Sequence, residues 1–230
     1  MKRLFLWLTL FSIAMGYLET AVVVYLRALY YPNGFELPLV NLDIPIAITE
    51  LGREAATIIM LAGIGILTGK NSTQRFAFFL YSFAIWDIFY YVFLKMLLNW
   101  PESLLTWDIL FLIPLPWFGP VLCPCLISLS MILLAFLIIY FNEKNSSIKV
   151  NSKEWLLFIT GSVVVILSFT IDCYNFIQTQ ISAGETALAA TSKYIPQHFD
   201  WWIFWLGQAL ILTAISIFFF RAKSVISAAK

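Results

Sequence analysis

Apolar residues along this chain fall in six blocks of about 20 or more, separated by short polar connections. A helix needs about 20 such residues to cross the hydrocarbon of a bilayer. The pattern predicts an all-α fold, a polytopic transmembrane helix bundle forming one integral-membrane domain over residues 1–230, with spans near 4–30, 44–67, 76–98, 117–141, 155–177 and 201–220. The stretch 104–141 is too long and too apolar for one straight span, and Pro114, Pro116 and Pro120 interrupt it. A short interfacial helix before span four is expected there, capped by Asn99, with Pro101 in its first turn and Trp100 and Trp107 as anchors. A re-entrant segment is the alternative.

The connections alternate in charge. Lys2, Arg3, Lys70, Arg75, Lys144, Lys149, Lys153, Arg221, Lys223 and Lys230, ten of the 14 Lys and Arg, fall on one side, whereas the opposite connections carry only Lys193. The positive-inside rule then places both termini in the cytoplasm. Trp100, Trp107, Trp117, Trp201, Trp202 and Trp205 map to the opposite interface, where amphipathic rings settle. The sequons at Asn71 and Asn145 fall on the cytoplasmic side and are chance matches. Met1, Lys2 and Arg3 followed by an apolar run and Ala14-Met15-Gly16 imitate a signal peptide, but the apolar stretch continues to Tyr31, so cleavage is not expected.

Composition agrees with the pattern. Hydrophobic residues make up 61% of the chain and charged ones 12%, against roughly 25% charged in a soluble domain. A soluble globular protein is excluded. The net charge of +1 without a basic stripe argues against nucleic-acid binding.

The informative anomaly is charge inside the spans, since each ionised side chain near the bilayer centre costs at least ~2.5 kcal/mol. Span one holds Glu19 and Arg27, span two Glu50, Arg53 and Glu54, span three Asp87 and Lys95, and span five Asp172. Glu50, Arg53, Glu54 and Thr57 follow the i, i+3, i+4, i+7 spacing and share one helical face. Asp87, Tyr91 and Lys95 make a second stripe, and Glu19 and Arg27 a third. The three stripes are expected to converge on one polar site below the outer interface, with Asp108, Tyr90, Tyr174 and Asn175 at its rim.

Arg27, Arg53 and Lys95 neutralise three of the five intramembrane carboxylates, so one reading of the cluster is purely structural. The two surplus acids favour a functional pocket, because an acid in low dielectric holds its proton and can donate it. Three chemistries fit. An acid–base enzyme acting on a lipid or isoprenoid-like substrate uses Glu54, Asp87 or Glu50 as catalytic acid or base, with Arg53, Lys95, Arg27, Glu19, Tyr91 and Asp108 binding substrate. A small-solute or ion carrier or channel uses the same residues as its coupling site. A non-catalytic subunit or assembly factor of a membrane complex keeps them as structural pairs and presents its smoother later spans, such as 210–220, to a partner or a second copy. Seven of these eight charges lie in the first three spans, which suits a site built in one half-bundle and covered by the other better than an inverted-repeat carrier.

No cofactor or metal is implied. One histidine, His198, lies in an outer connection and reads as a surface residue. Three cations beside the carboxylates argue against Mg or Ca. No G-x-S-x-G, H-E-x-x-H or P-loop motif occurs. Cys123-Pro124-Cys125, with Met131 and Cys173, could hold Cu(I), but the neighbouring Val, Leu and Ile favour packing. The triplets Trp86-Asp87-Ile88 and Trp107-Asp108-Ile109 read as coincidence.

The run 85–121, with Trp86-Asp87-Ile88-Phe89-Tyr90-Tyr91, Lys95, Trp100-Pro101, Trp107-Asp108-Ile109-Leu110-Phe111 and Pro116-Trp117-Phe118-Gly119-Pro120-Val121, resembles an uncharacterised family of bacterial polytopic membrane proteins. Leu18-Glu19 through Pro32 and Arg53-Glu54-Ala55-Ala56-Thr57 are similar to it too. The resemblance implies a multi-pass protein of a bacterial cytoplasmic (inner) membrane, surrounded by membrane lipids, and brings no activity, substrate or cofactor.

Overall fold

The computed structural model describes residues 2–40, 42–113 and 115–228, without the side chain of residue 188. Met1, Pro114 and Lys230, named above, lie outside the described residues. Six helices are long and apolar enough to cross a membrane, compatible with a multi-pass membrane protein: α1 (Lys2–Tyr30), α2 (Ile44–Thr68), α3 (Ser72–Leu98), α4 (Leu122–Lys144), α5 (Ser152–Ser182) and, after a short α6 (Ala187–Thr191), α7 (Trp201–Ala228).

Their ends follow from capping chemistry. The Asn71 side chain accepts the Gln74 N–H at the start of α3, and Asn151 and Glu154 form a reciprocal capping box on α5. Pro45 occupies the first turn of α2, where its missing N–H costs nothing. Asn99 ends α3 in the left-handed conformation, φ 51°, which Asn tolerates better than most residues.

That last cap corrects the expectation for the following segment. Asn99 closes the preceding helix, and among the described residues no interfacial helix follows. Residues 99–121 instead carry an antiparallel hairpin of β1 (Trp107–Phe111) and β2 (Trp117–Pro120), pairing Trp107 with Pro120, Asp108 with Gly119 and Ile109 with Phe118. Span four accordingly starts at Leu122 rather than 117.

Helix α3 is the hub, with α1, α2 and α4 packed around it, while α5 and α7 pair tightly and α7 reaches α4. Small residues set the closest approaches. A Cβ on Gly65 would lie 2.8 Å from the Arg75 carbonyl, and one on Gly207 would lie 2.8 Å from the Gly161 carbonyl, so α2–α3 and α5–α7 meet backbone to backbone. The core of the cation-rich end is Leu8, Phe78, Tyr81, Ile138, Phe141 and Phe218 with their neighbours. There Glu154, 0% exposed, takes two hydrogen bonds from Arg221 at 2.7 and 2.9 Å and so ties α5 to α7.

The hairpin straddles both halves at the cation-poor end. On one side Trp117 stacks on Phe169 of α5, and Gly119 lies so close to that ring that a Cβ would sit 2.8 Å away. On the other, β1 reaches the face shared by α1, α2 and α3.

Candidate functional site

Helices α1 and α2 both pack on α3 but scarcely meet each other, and the space between them is a cavity of about 180 Å³. Each helix contributes one stripe to its wall: Glu19, Val23, Leu26, Arg27 and Tyr30 from α1, Glu50, Arg53, Glu54 and Thr57 from α2, and Trp86, Asp87, Tyr90 and Tyr91 from α3. The buried stripe of α2 runs Glu50, Glu54, Thr57, Leu61, Gly65: acidic where it meets the cavity, apolar beyond. Leu61, further along that stripe towards the cation-rich end, packs with Met15 and Trp86. The opposite end is covered by the 31–42 segment, with Tyr31, Phe35, Leu39, Val40 and Leu42, and by 109–112 of the hairpin.

Arg53 bridges the gap between α1 and α2. Its guanidinium pairs with Glu19 and donates to Glu50 at 2.8 Å, while the Thr57 hydroxyl donates to Glu19 at 3.3 Å. Arg27 holds the cover: its guanidinium lies 3.9 Å from the Trp100 ring, 4.4 Å from Phe35 and 4.0 Å from the Asp108 carboxylate. The Tyr91 hydroxyl donates to Asp108 at 3.1 Å. Burial raises the Asp108 carboxyl to about 6, against the lowering pull of Arg27 and of the Tyr91 hydroxyl.

The other two carboxylates have neutral partners. Glu54 accepts the Leu112 N–H on both oxygens, at 3.1 and 3.0 Å, which fastens the hairpin to α2. Asp87 accepts the Ser128 hydroxyl of α4 at 2.8 Å. Among the described residues neither lies within 4.0 Å of a cationic nitrogen.

Eight of the nine residues singled out from the sequence line this cavity: Glu54, Asp87, Glu50, Arg53, Arg27, Glu19, Tyr91 and Asp108. Lys95 does not. It is exposed at the last turn of α3, where its ammonium donates to the carbonyls of Asn99 and Pro101 at 3.3 and 3.0 Å, as a long cationic side chain does at a helix C-terminus. Of the rim candidates Tyr90 is in the wall, whereas Tyr174 and Asn175 are exposed on α5 and stand apart. Asp172 is likewise outside, accepting the Tyr194 hydroxyl. Nor is the cover made by the later spans; the two connections make it.

The two Trp-Asp-Ile triplets are unrelated in structure, one helical and one extended, yet both aspartates line the cavity. Ser128, Trp86 and the Leu112 N–H had no distinguishing signal in the sequence, since a serine, an indole and a backbone amide are common everywhere in such a chain. Cys123 is buried against Val165, Phe169, Phe199 and Phe204, Cys173 belongs to a separate cluster, and all three cysteines are free. Among the described residues no group of three or more His, Cys, Asp or Glu is placed to hold a metal ion. The His198 side chain is 83% exposed.

No family model matches this chain, and no curated protein sequence or solved structure is detectably similar to it.

Proposed function

We propose that the chain is a multi-pass protein of a bacterial cytoplasmic membrane, with both termini in the cytoplasm. In this reading the cavity receives the head of a lipid or isoprenoid-like molecule from the outer half of the membrane and acts on it by acid–base chemistry. The observation that carries it is the pair Glu54 and Asp87, two carboxylates on different helices with neutral partners, at a cavity that also holds two arginines already engaged by acids. Such carboxylates are free to exchange a proton with a bound molecule. Glu50, Glu19 and Arg53 then act as positioning groups across the gap, and Arg27, Asp108 and Tyr91 hold the cover.

The size of the cavity fits this. Sites for whole small molecules occupy about 300–1,000 Å³, so 180 Å³ accommodates a head group and leaves an apolar tail between α1 and α2. The cluster of Leu61, Met15 and Trp86 speaks against an open channel, which needs a continuous path between the two faces. One observation favours a non-catalytic role instead, since each of the five carboxylates that line the cavity, Glu19, Glu50, Glu54, Asp87 and Asp108, has an ionic or hydrogen-bonding partner.

Mass spectrometry of molecules co-purified with the wild type, Glu54→Gln and Asp87→Asn separates these readings once all three are shown monodisperse. A lipid-like species retained by the wild type and lost or altered in both variants is the expected result. An identical inventory in all three would assign the charges to structure or assembly.

A further inference from the structure

Resting on that reading, we infer that the head group the cavity takes is a small organic cation, an alkylammonium, and not a phosphate or other anion. The first ground is charge. Five carboxylates, Glu19, Glu50, Glu54, Asp87 and Asp108, line the cavity with only two guanidiniums, and both are occupied. Arg53 is held between Glu19 and Glu50, and Arg27 is stacked beneath Trp100 and Phe35 next to Asp108. An incoming anion would have to strip an arginine from its acids while facing Glu54 and Asp87, at close range and away from bulk water. A cation meets the opposite balance: it supplies a positive charge that Asp87 lacks altogether and that Glu54 receives only at longer range from Arg53.

The second ground is independent of the acids. Trp86 lines the cavity with its aromatic side chain. Tyr90 and Tyr91 join Trp86 in the wall, and aromatic rings near carboxylates are the usual surroundings of bound alkylammonium groups.

Three probes with one tail length test this: N-dodecylethanolamine, its neutral isostere 2-(dodecyloxy)ethanol, and dodecyl phosphate. Each is titrated against the purified full-length protein in a neutral maltoside detergent near neutral pH, with thermal melting and isothermal calorimetry as readouts. The amine is expected to bind saturably at least about tenfold more tightly than the ether, and the phosphate to give no saturable shift. Asp87→Asn and Glu54→Gln should each weaken the amine about tenfold while leaving the ether unchanged. Trp86→Phe, with the weaker cation–π face, should weaken the amine more than the ether. If one acid variant does not purify monodisperse, the other and Trp86→Phe decide.

Equal or tighter binding of the ether or the phosphate, abolished by filling the cavity with Val23→Trp, would overturn the cationic head group and leave the amphiphile site standing. Absence of binding by all three probes, or binding that survives Val23→Trp, would overturn the site itself.

Discussion

Arg53 is the residue on which the gap between α1 and α2 depends, because its one guanidinium serves Glu19 and Glu50. Arg53→Met leaves both acids without their cation. It should destabilise the protein in detergent by about 3 kcal/mol, the low end for breaking a buried pair because the arginine side chain is 20% exposed. Replacing Glu19 and Glu50 by Gln together with Arg53→Met should recover most of that loss; a melt that stays low would show that packing, not charge, was removed. Asp108 gives a pH signature of its own. Burial raises its carboxyl from the ordinary 3.8 to about 6, so between these values the folded state binds a proton that the unfolded chain does not. The stabilisation from that proton is complete below the lower value and is lost as pH rises through the upper one. Asp108→Asn lacks the titration while its amide oxygen still accepts from Tyr91. The melting temperature of the variant minus that of the wild type should therefore become more positive from pH about 4.5 to about 7.5, and a flat difference would remove the buried acid from the account.

The pairing of α5 with α7 is the element-scale contact most sensitive to a single atom. A methyl on Gly161 would stand 2.9 Å from the Gly207 carbonyl, and Gly63 on α2 has nothing within 4 Å of the same position. Gly161→Ala should therefore destabilise by about 1–3 kcal/mol through forced separation of the helices. Gly63→Ala should stabilise by up to about 1 kcal/mol through helix propensity. Melting of the two variants side by side checks this, and equal effects would refute the close packing. The same elements show what the sequence reveals. The six long helices are legible, most ends to within five residues and the last running on to Ala228, because an unbroken apolar run of about 20 residues is too long for a strand. The hairpin is not, because β1 and β2 are five and four residues of apolar and aromatic character, where periodicity cannot separate strand from helix. Asn99 and Trp100-Pro101 are also ambiguous, since Asn followed shortly by Pro marks the end of one helix as readily as the start of the next.

At the scale of the whole molecule, the site was legible wherever a charged residue had a helical period to place it. The α2 stripe of Glu50, Arg53, Glu54 and Thr57 lines the cavity as its spacing requires, the arrangement that charged side chains on an apolar helix demand if that helix crosses a membrane. Lys95 shares a face with Asp87 by the same arithmetic, yet its long stem turns it away to the carbonyls that end α3, and spacing alone does not encode that choice. Asp108 enters through the tertiary fold of the hairpin, beyond the reach of any local pattern. The up-and-down order of the six helices follows from their contacts: Asp87 with Ser128 and Asn71 with Asn142 run α3 against α4, and Gly161 with Gly207 and Glu154 with Arg221 run α5 against α7. This order puts the connections at 69–71 and 145–151 at one end and those at 31–43, 99–121 and 183–200 at the other. If the cation-rich end is cytoplasmic, as the charge bias demands, a cysteine at the exposed Ser147 should resist a membrane-impermeant maleimide in intact cells and react after permeabilisation. A cysteine at the exposed Ser103 should react in both conditions. The test needs a background in which Cys125, the least buried of the three native cysteines, is replaced by serine. The reverse labelling pattern would invert the protein in the membrane and turn the carboxylate cavity towards the cytoplasm. The same pattern at both sites would mean that an even number of spans separates 103 from 147, and α4 would then not be a single crossing.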